Sequence, residues 1–326
     1  MMSGNASALA RVEITRGGML STVQDGGRRK VAAFGISPSG FADWFSAGIA
    51  NRLAGNQPGA ALIETTLNGI AFTARSDMRM AVTGAQATLH VDERRAELWQ
   101  SHHLRCGQHV TVGPAREGLR SYVAIEGGVS VAPLLASAST DLGAGFGGTE
   151  GRAVRDGDTL RIRLGGAAPQ GSANLPAHVR LPQQSRPSWP RDATLRVTAG
   201  PHADLLAVDE LGALLGRRYD VSPHCSRQGV RLAGAPVRTK RSLNMLSFGV
   251  CAGCVQLTSD GLPIILLSEH HTTGGYAVVL NVITADLPVA AQLRPGDTVA
   301  FARLTIAEGA RALEARLGDF SAWEPA

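Results

Sequence analysis

The phrase GDTLRI at residues 157–162 returns as GDTVAF at residues 296–301, and this recurrence decides the fold prediction. Upstream of each copy lies an apolar run and then two glycines, VAIEGG at 123–128 and ILLSEHHTTGG at 265–275. Each half of the chain also opens on a similar phrase. Because these matches occur in one common order, they predict two related structural units in tandem.

Short strand-like runs stand between glycine, aspartate and proline residues in both halves. Their density is typical of a β-sandwich or a β-barrel. The runs occupy residues 11–15, 78–83, 88–91, 109–112, 121–126 and 159–163, and then 194–198, 250–257, 263–267, 278–283 and 298–304. Helical spacing predicts helices at 41–53, 203–215 and 306–317. The predicted class is therefore mainly β with a few short helices.

A change of composition near the middle divides the chain. Its 326 residues are long enough for about two domains. Residues 165–193 are dominated by Pro, Ser, Gln, Gly and Ala without a helical or strand period, which is typical of a linker or a long surface connection. We therefore expect an N-terminal unit at 1–164 and a C-terminal unit with a terminal helix at 194–326.

The composition argues against several classes of partner. The formal net charge is +5, but the arginines are scattered among acidic residues, and with 5% aromatic residues few side chains can stack on bases. We therefore expect no nucleic acid as a partner. No apolar run reaches the roughly 18 residues that cross a bilayer, so we expect no membrane contact. The start of the chain lacks a secretory signal pattern, and four cysteines are too few for a disulfide framework, so a cytoplasmic location is predicted.

Three motifs suggest cofactor chemistry, but their surroundings favour structural roles. GAGFGG at 143–148 matches a dinucleotide-binding pattern, yet no helical segment follows it, so a glycine-rich turn is expected. Cys251 and Cys254 form a single C-x-x-C without the second pair of a zinc ribbon, which favours two buried thiols on a strand. The histidine pairs at 102–103 and 270–271 would point to opposite faces of a strand, so we expect no metal.

One glycine-rich stretch holds a high density of amide, carboxylate and guanidinium side chains. It reads TVQDGGRRKVAAFGISPSGFADWFSAGIANRLAGN at 22–56 and is followed by IET at 63–65. Such groups suit the recognition of small planar amides or carboxylates, while turn and cap chemistry is the structural alternative. The candidates are Gln24, Asp25, Arg28, Asp43, Asn51, Asn56 and Glu64.

Five phrases that follow one another along residues 11–304 carry a family resemblance. They are QDxGR, AN-x-L-x-GN, STDLGAGFGG, TTGGY and ADL…AQL-x-PGD. On these phrases the sequence resembles the allophanate hydrolase subunit 2 family, also called the biotin-dependent carboxyltransferase family, which includes the C-type subunit of 5-oxoprolinase. It is also similar to the carboxyltransferase region of urea carboxylase.

The resemblance implies two tandem cyclophilin-like β-barrel units that work within a complex. The implied partners are a B-type subunit, itself of cyclophilin-like fold, and, for a 5-oxoprolinase, an A-type subunit. The implied reaction is the ATP-dependent opening of 5-oxoproline, a lactam, to glutamate. The alternative reaction moves a carboxyl group from carboxybiotin to urea or a related amide. Because the chain has no Walker A phrase and no Met-Lys-Met biotin-attachment phrase, we expect no covalently bound cofactor and expect the complex to supply ATP or carboxybiotin.

Matching the family's phrases residue by residue gives the predicted site. Fixed donors such as Gln24 and Arg28 would stabilise charge that develops on an amide, and we expect the first phrase and the TTGGY phrase to form opposite walls of a substrate cleft. The predicted catalytic residues are Gln24, Asp25, Arg28, Asp43, His271, Thr272, Thr273 and Tyr276. The predicted substrate-binding residues are Asn51, Asn56, Glu64, Gln256, Gly274, Gly275, Asp286 and Gln292.

The second half departs from the family's phrases at charged positions. Val278 stands where the family has a lysine, His270 where it has an arginine, and Phe248 where it has a carboxylate. Valine in place of lysine removes a fixed cation, whereas His270 could serve as one if protonated. These departures leave a further alternative, a non-catalytic regulatory or binding subunit of the kinase-inhibitor-antagonist type.

Overall fold

In a computed structural model, the protein is a mainly β structure. This confirms the predicted fold class. The structure describes residues 9–163, 179–240 and 245–322. Residues 165–178 of the predicted connection lie outside the described residues. Among the described helices, none combines the length and the apolar character that crossing a membrane requires.

The described chain forms two compact units that are not simple halves of the sequence. One unit contains the described residues from 9 to 27 and from 44 to 187. The other contains residues 28–43 and the described residues from 188 to 322. The segment 28–43 therefore belongs to the second unit, although its sequence lies within the first half.

The first unit consists of two antiparallel sheets. Its strands are β1 (Leu9–Arg16), β2 (Leu20–Gln24), β3 (Leu62–Thr66), β4 (Ala71–Ala74), β5 (Met78–Gln86), β6 (Leu89–Val91), β7 (Arg94–Ala96), β8 (Ser101–Leu104), β9 (His109–Val112), β10 (Glu117–Ile125) and β11 (Thr159–Arg163). One sheet has the order β11-β1-β4-β9-β6-β7 and the other the order β2-β3-β10-β5-β8. Apolar side chains from both sheets, such as Val12, Phe72 and Val123, share one core.

Two strands of the first unit are buried on both faces. The helix α1 (Trp44–Leu53) packs against β5 and β10 on the side opposite the core. Because both faces of these strands are covered, they are buried almost throughout, whereas the uncovered β11 alternates with only Leu160 and Ile162 buried. The alternation in β11 is why its bounds could be predicted from sequence.

Within the described residues, the second unit has nine strands, and seven of them form a closed barrel. Its strands are β12 (Asp192–Ala199), β13 (Tyr219–Val221), β14 (Gly229–Ala233), β15 (Phe248–Gly249), β16 (Cys254–Leu257), β17 (Pro263–Leu266), β18 (Thr273–Gly274), β19 (Ala277–Val282) and β20 (Thr298–Arg303). The barrel runs β12-β19-β16-β17-β14-β13-β20, and β20 closes it by pairing in parallel with β12. The strands β15 and β18 form a separate two-stranded sheet.

Three helices accompany the barrel, α2 (Glu210–Gly216), α3 (Leu287–Gln292) and α4 (Ile306–Ala322). The single helix predicted at 203–215 is wrong. A 3₁₀ turn at Ala203–Leu205 is followed by Leu206 in an extended conformation, and α2 begins only after Asp209, whose φ is 63°. These two backbone conformations cannot continue a right-handed helix, so the helical pattern is broken there.

The repeated GDT phrases form the same turn in both units. Gly157 and Gly296 have φ values of 86° and 90°, a region that glycine reaches without steric cost. In each turn the aspartate that follows accepts a hydrogen bond from the backbone N–H three residues earlier, 2.8 Å for Asp158 and 3.0 Å for Asp297. The repeat in the sequence is therefore a repeat of turn chemistry before β11 and β20.

Candidate functional site

A cavity of about 200 Å³ lies in the second unit and gathers part of the predicted site. Six predicted residues line it: Gln256, His271, Thr273, Gly274, Gly275 and Tyr276. The other lining residues are His224, Ser226, Gln228, Gly229, Arg231, Val250, Ile264 and Leu266. Residues from separate phrases of the sequence thus meet around one small cavity.

The TTGGY phrase is held in place by main-chain hydrogen bonds to the segment before Cys251. In the sheet of β15 and β18, Phe248 lies opposite Gly274. The N–H of Val250 donates to the carbonyl of Thr272 at 3.1 Å, which continues this pairing. Thr272 itself does not line the cavity. The two short strands therefore fix one wall of the cavity by backbone rather than by side chains.

Gln256 and Gly274 are fitted to each other. The Nε2 of Gln256 donates to the carbonyl of Tyr276 at 3.3 Å. A Cβ on Gly274 would lie 2.8 Å from the same Nε2, closer than real Cβ atoms approach a nitrogen. Glycine at 274 therefore leaves the room that lets the Gln256 amide sit at the cavity wall.

Cationic and ionisable side chains line the cavity from two segments, residues 224–231 and the loop directly before TTGGY. Arg231 points outward from β14 between the buried Val230 and Leu232, because successive side chains of a strand alternate. Exposed His224 and His271 line the same cavity. A guanidinium with neighbouring imidazoles suits a small anion such as a carboxylate.

Sequence reasoning missed the contribution of residues 224–231 to this cavity. The missed side chains are His224, Ser226, Gln228, Arg231 and, on the facing segment, Val250. The available signal was the phrase CSRQGVRL at 225–232, which resembles the family's SDRMG-V-R-L with Ser226 in place of the aspartate and Gln228 in place of the methionine. Arg231 stands in the part of that phrase that is intact.

A buried ion pair joins two segments that carry cavity-lining residues. The Nε of Arg227 donates to the Oε1 of Glu269 at 2.7 Å, and its Nη2 donates to the Oγ of Ser268 at 3.1 Å and to the carbonyl of Gly40. Both charged side chains are buried. The pair therefore connects the segment 28–43 of the second unit to the loop that carries His271.

His270 does not replace the cation that the family's arginine would supply. Its side chain is buried, and the Nδ1–H donates to the carbonyl of His271 at 2.6 Å. Burial lowers the pKa of His270, so the neutral imidazole is favoured at neutral pH. Val278 is also buried, packed in an apolar cluster with Cys254 and Leu266. Neither position provides a charge.

Two further predicted residues meet although 249 positions separate them. The Nε2 of Gln292 donates to the Oδ2 of Asp43 at 2.9 Å, and both side chains are buried. Asp286 accepts hydrogen bonds from the backbone N–H of Arg196 at 2.8 Å and from its guanidinium at 2.6 Å. These polar groups do not line the cavity, and their bonds join segments within the second unit.

In the first unit, Asp25 organises a loop. Its Oδ1 accepts hydrogen bonds from Ser137 Oγ and Ser139 Oγ, both at 2.6 Å, and from the N–H of Gly27 at 2.9 Å. Its Oδ2 accepts from the N–H of Ala138 at 2.6 Å. The neighbouring Gln24 is buried and donates to Thr140 O at 3.1 Å. The carboxylate thus binds the STDL loop to the end of β2.

Asn51 and Asn56 fasten the chain after α1. The Nδ2 of Asn51 donates to the carbonyls of Pro58 and Ala60, and its Oδ1 accepts from the Nδ2 of Asn56 at 3.1 Å. The Oδ1 of Asn56 accepts the N–H of Gly127 at 2.7 Å.

The other predicted residues of the first phrase are buried. Glu64 lies 3.6 Å from Arg120 in a buried ion pair. Arg28 is buried in the second unit, where its backbone N–H donates to the carbonyl of Pro38 at 2.7 Å. The roles that sequence reasoning assigned to these side chains stay predictions.

The GAGFGG phrase forms turns and leads into no helix, as expected. Ala144 N–H donates to the Oδ1 of Asp141 at 2.9 Å, and Gly145, Gly147 and Gly148 have positive φ. Within the described residues, no group of three or more His, Cys, Asp or Glu side chains is arranged to hold a metal ion.

Comparison with known proteins defines the class. A family profile described as "Carboxyltransferase domain, subdomain A and B" matches residues 34–303, so the chain belongs to that family. It is 33% identical over 301 residues to the C-type subunit of 5-oxoprolinase from Escherichia coli (strain K12), a match that covers 92% of this chain and 94% of that protein. It is also 30% identical to the urea amidolyase of Lachancea kluyveri over 89% of this chain but 17% of that larger protein.

Solved structures agree with this relation. The crystal structure of the K. lactis urea amidolyase superposes on 99% of this chain with a TM-score of 0.89 at 27% sequence identity. This chain spans 20% of that protein. The fold is therefore that of a domain which in larger relatives forms one part of a longer polypeptide.

Proposed function

We propose that this chain is a subunit of an ATP-dependent, 5-oxoprolinase-type complex that opens 5-oxoproline to glutamate. The observation that carries the proposal is the cavity at which Gln256 and the TTGGY residues meet Arg231. The relation to the C-type subunit of 5-oxoprolinase, which extends over nearly the full length of both chains, supports it.

The cavity's side chains complement the chemical groups of 5-oxoproline. This substrate carries one carboxylate and one planar lactam amide. Arg231 binds the carboxylate, since a guanidinium matches its two oxygens. The Gln256 carboxamide supplies a donor and an acceptor for the lactam. The backbone at Gly274 and Gly275 lets the substrate approach closely because no side chain intervenes.

Opening the lactam breaks its C–N bond and adds water. Negative charge develops on the lactam oxygen, and the leaving nitrogen needs a proton. Donors fixed at the cavity wall stabilise the first change, and the exposed His271 imidazole supplies the proton for the second. ATP, whose hydrolysis drives the reaction, is bound by the other members of the complex, a B-type subunit of cyclophilin-like fold and an A-type subunit.

A carboxyltransferase reaction is the second candidate. The family match and the likeness to urea amidolyase favour it. In this case Arg231 holds the carboxylate of carboxybiotin, which a separate biotinylated protein brings, while the amide acceptor contacts Gln256. The residues of the cavity serve both reactions, so only the co-substrate distinguishes them.

Reconstitution tests the proposal. The chain is co-expressed with the B-type and A-type subunits of the proposed complex. The release of glutamate from 5-oxoproline is then measured with and without ATP. We expect Arg231→Gln to raise KM by about 10- to 100-fold, because a charge-assisted hydrogen bond contributes about 1.5–3 kcal/mol. A second variant, His271→Asn, changes the exposed histidine at the cavity. Its matched control is His103→Asn, which changes an exposed histidine of the first unit.

Each other outcome has a defined meaning. Turnover that persists without this chain, or that Arg231→Gln leaves unchanged, contradicts the proposal. Turnover of urea that requires a biotinylated protein and is abolished by avidin supports the carboxyltransferase. Capture of a sensor-kinase inhibitor without turnover of any lactam or urea compound supports the regulatory alternative.

A further inference from the structure

The connection between β15 and β16 carries two thiols that the proposed reaction does not use. The N–H of Cys254 donates to the carbonyl of Cys251 at 3.2 Å, which closes a turn, and the two Sγ atoms lie 3.6 Å apart. Gly253 within the turn has a φ of 93°. The sequence predicted two buried thiols on a strand. This is wrong for Cys251, which is exposed and lies in the turn, while Cys254 is buried at the start of β16.

The geometry is close to that of a disulfide. A disulfide needs its sulfur atoms about 2.05 Å apart, so the thiols must approach by about 1.5 Å. Rotation of the exposed Cys251 side chain supplies a movement of this size without unpacking β16. The two cysteines are residues i and i+3 of the turn, and the hydrogen bond that closes the turn keeps their backbones close together.

The two thiols are chemically unequal. The hydrogen bond from the Cys254 thiol lowers the pKa of Cys251, so Cys251 is the thiolate of the pair. The same hydrogen bond and burial raise the pKa of Cys254. An exposed thiolate beside a buried thiol is the arrangement in which one sulfur attacks and the other resolves.

We propose that Cys251 and Cys254 form a thiol–disulfide exchange site that a low-molecular-weight disulfide, such as oxidised glutathione, converts into an intramolecular disulfide. The Cys251 thiolate attacks one sulfur of the small disulfide, whose S–S bond breaks and releases one thiolate. The Cys254 thiol then gives its proton to that thiolate, and the Cys254 thiolate attacks the Cys251 sulfur and releases the second small group as a thiolate, which takes a proton from water. The protein dithiol is oxidised by two electrons and the small disulfide is reduced to two thiols.

The site lies beside the candidate cavity. Val250, which precedes Cys251, and Gln256, which follows Cys254 by two residues, both line the cavity. The disulfide therefore restrains the short segment between two lining residues, Val250 and Gln256, and so restrains one wall of the cavity.

Peptide mapping of the full chain after exposure to oxidised glutathione tests the proposal. We expect a peptide in which Cys251 and Cys254 are linked, lighter than the reduced form by about 2 Da. Cys254→Ala should accumulate a glutathione adduct on Cys251, whereas Cys251→Ala should not accumulate one on Cys254. The control Cys106→Ala, another exposed cysteine, should behave as the unaltered chain. Adducts on Cys106 or Cys225 without the internal link, or no reaction, would overturn the proposal.

Alkylation rates give a second test that needs no cysteine variant. At pH 6, iodoacetamide should modify Cys251 about tenfold faster than Cys106, because a thiolate of low pKa persists there although its nucleophilicity is reduced. At pH 9 the advantage should shrink, because the low pKa of Cys251 no longer raises its thiolate fraction there while its thiolate remains the weaker nucleophile. Equal rates at pH 6 would contradict the assignment of Cys251 as the attacking sulfur.

Discussion

The two glycine-rich polar phrases of this chain use their polar side chains differently. In the first unit, the Asp25 carboxylate accepts four hydrogen bonds from loop groups within the protein. In the second unit, the side chains of His271 and Tyr276 are exposed at a cavity. A side chain whose bonds stabilise loops is costly to remove, while one that faces a cavity is cheap to remove and available to a ligand.

The largest effect should come from Asp25→Ala. The change leaves Ser137, Ser139 and two backbone N–H groups without their acceptor, so we expect the free energy of unfolding to fall by about 3 kcal/mol. Denaturant unfolding measures it. Asp77→Ala is the matched control, because the exposed Asp77 carboxylate accepts a hydrogen bond from the N–H of Cys106 at 2.7 Å. This variant should lower the free energy of unfolding much less than Asp25→Ala does. Equal costs would remove the distinction between the two regions.

A smaller effect concerns the buried His270 beside the cavity. Because burial lowers its folded-state pKa below that of the unfolded chain, the unfolded state binds more protons below about pH 6.5, and stability is lost as the pH falls. His270→Asn keeps an N–H donor without titrating. The variant should lose about 1 kcal/mol less stability than the unaltered chain between pH 7 and pH 5.

The pH dependence is measured by urea unfolding at each pH. His103→Asn, which changes an exposed histidine of the first unit, is the control. Parallel curves for His270→Asn and the unaltered chain would mean that His270 titrates in the folded protein as it does in the unfolded chain.

The smallest effect on stability should come from the cavity wall. In Gly274→Ala the new Cβ displaces the end of the flexible Gln256 side chain. We therefore expect the free energy of unfolding to change by no more than about 0.5 kcal/mol. The side-chain amide resonances of Gln256 should nevertheless shift in NMR spectra. Gly249→Ala, on the paired strand, places its Cβ in open space and should leave them unchanged. A loss of stability as large as that of Asp25→Ala would show that this wall is structural too.

Local signals in the sequence were sufficient for much of the fold. The strands at 109–112 and 159–163 were predicted with the observed bounds, and the terminal helix was predicted from 306 but extends to Ala322. Alternation and helical spacing depend on neighbouring residues, so they can be recognised without the rest of the chain. The strands missed, such as β3 and β13, are short or buried on both faces and lack a clear period.

Part of the candidate site was also within reach of the sequence. The resemblance selected Gln256, His271, Thr273 and Tyr276, and the structure brings them to one cavity. It could not separate these from Asp25 or Asn51, which also lie in glycine-rich phrases that match the family. Arg231 was missed although its phrase matches the family, because its place at the cavity depends on the pairing of β14 with β17.

By itself, the sequence determined the mainly β class, the repeated GDT turns and the family, because each is written in short runs of residues. Only the tertiary structure decided which polar groups are scaffold and which face the cavity. It also joined Asp43 to Gln292 across 249 positions and paired the exposed Cys251 with the buried Cys254. Burial and long-range hydrogen bonds depend on how distant segments pack, and no local pattern of residues records that.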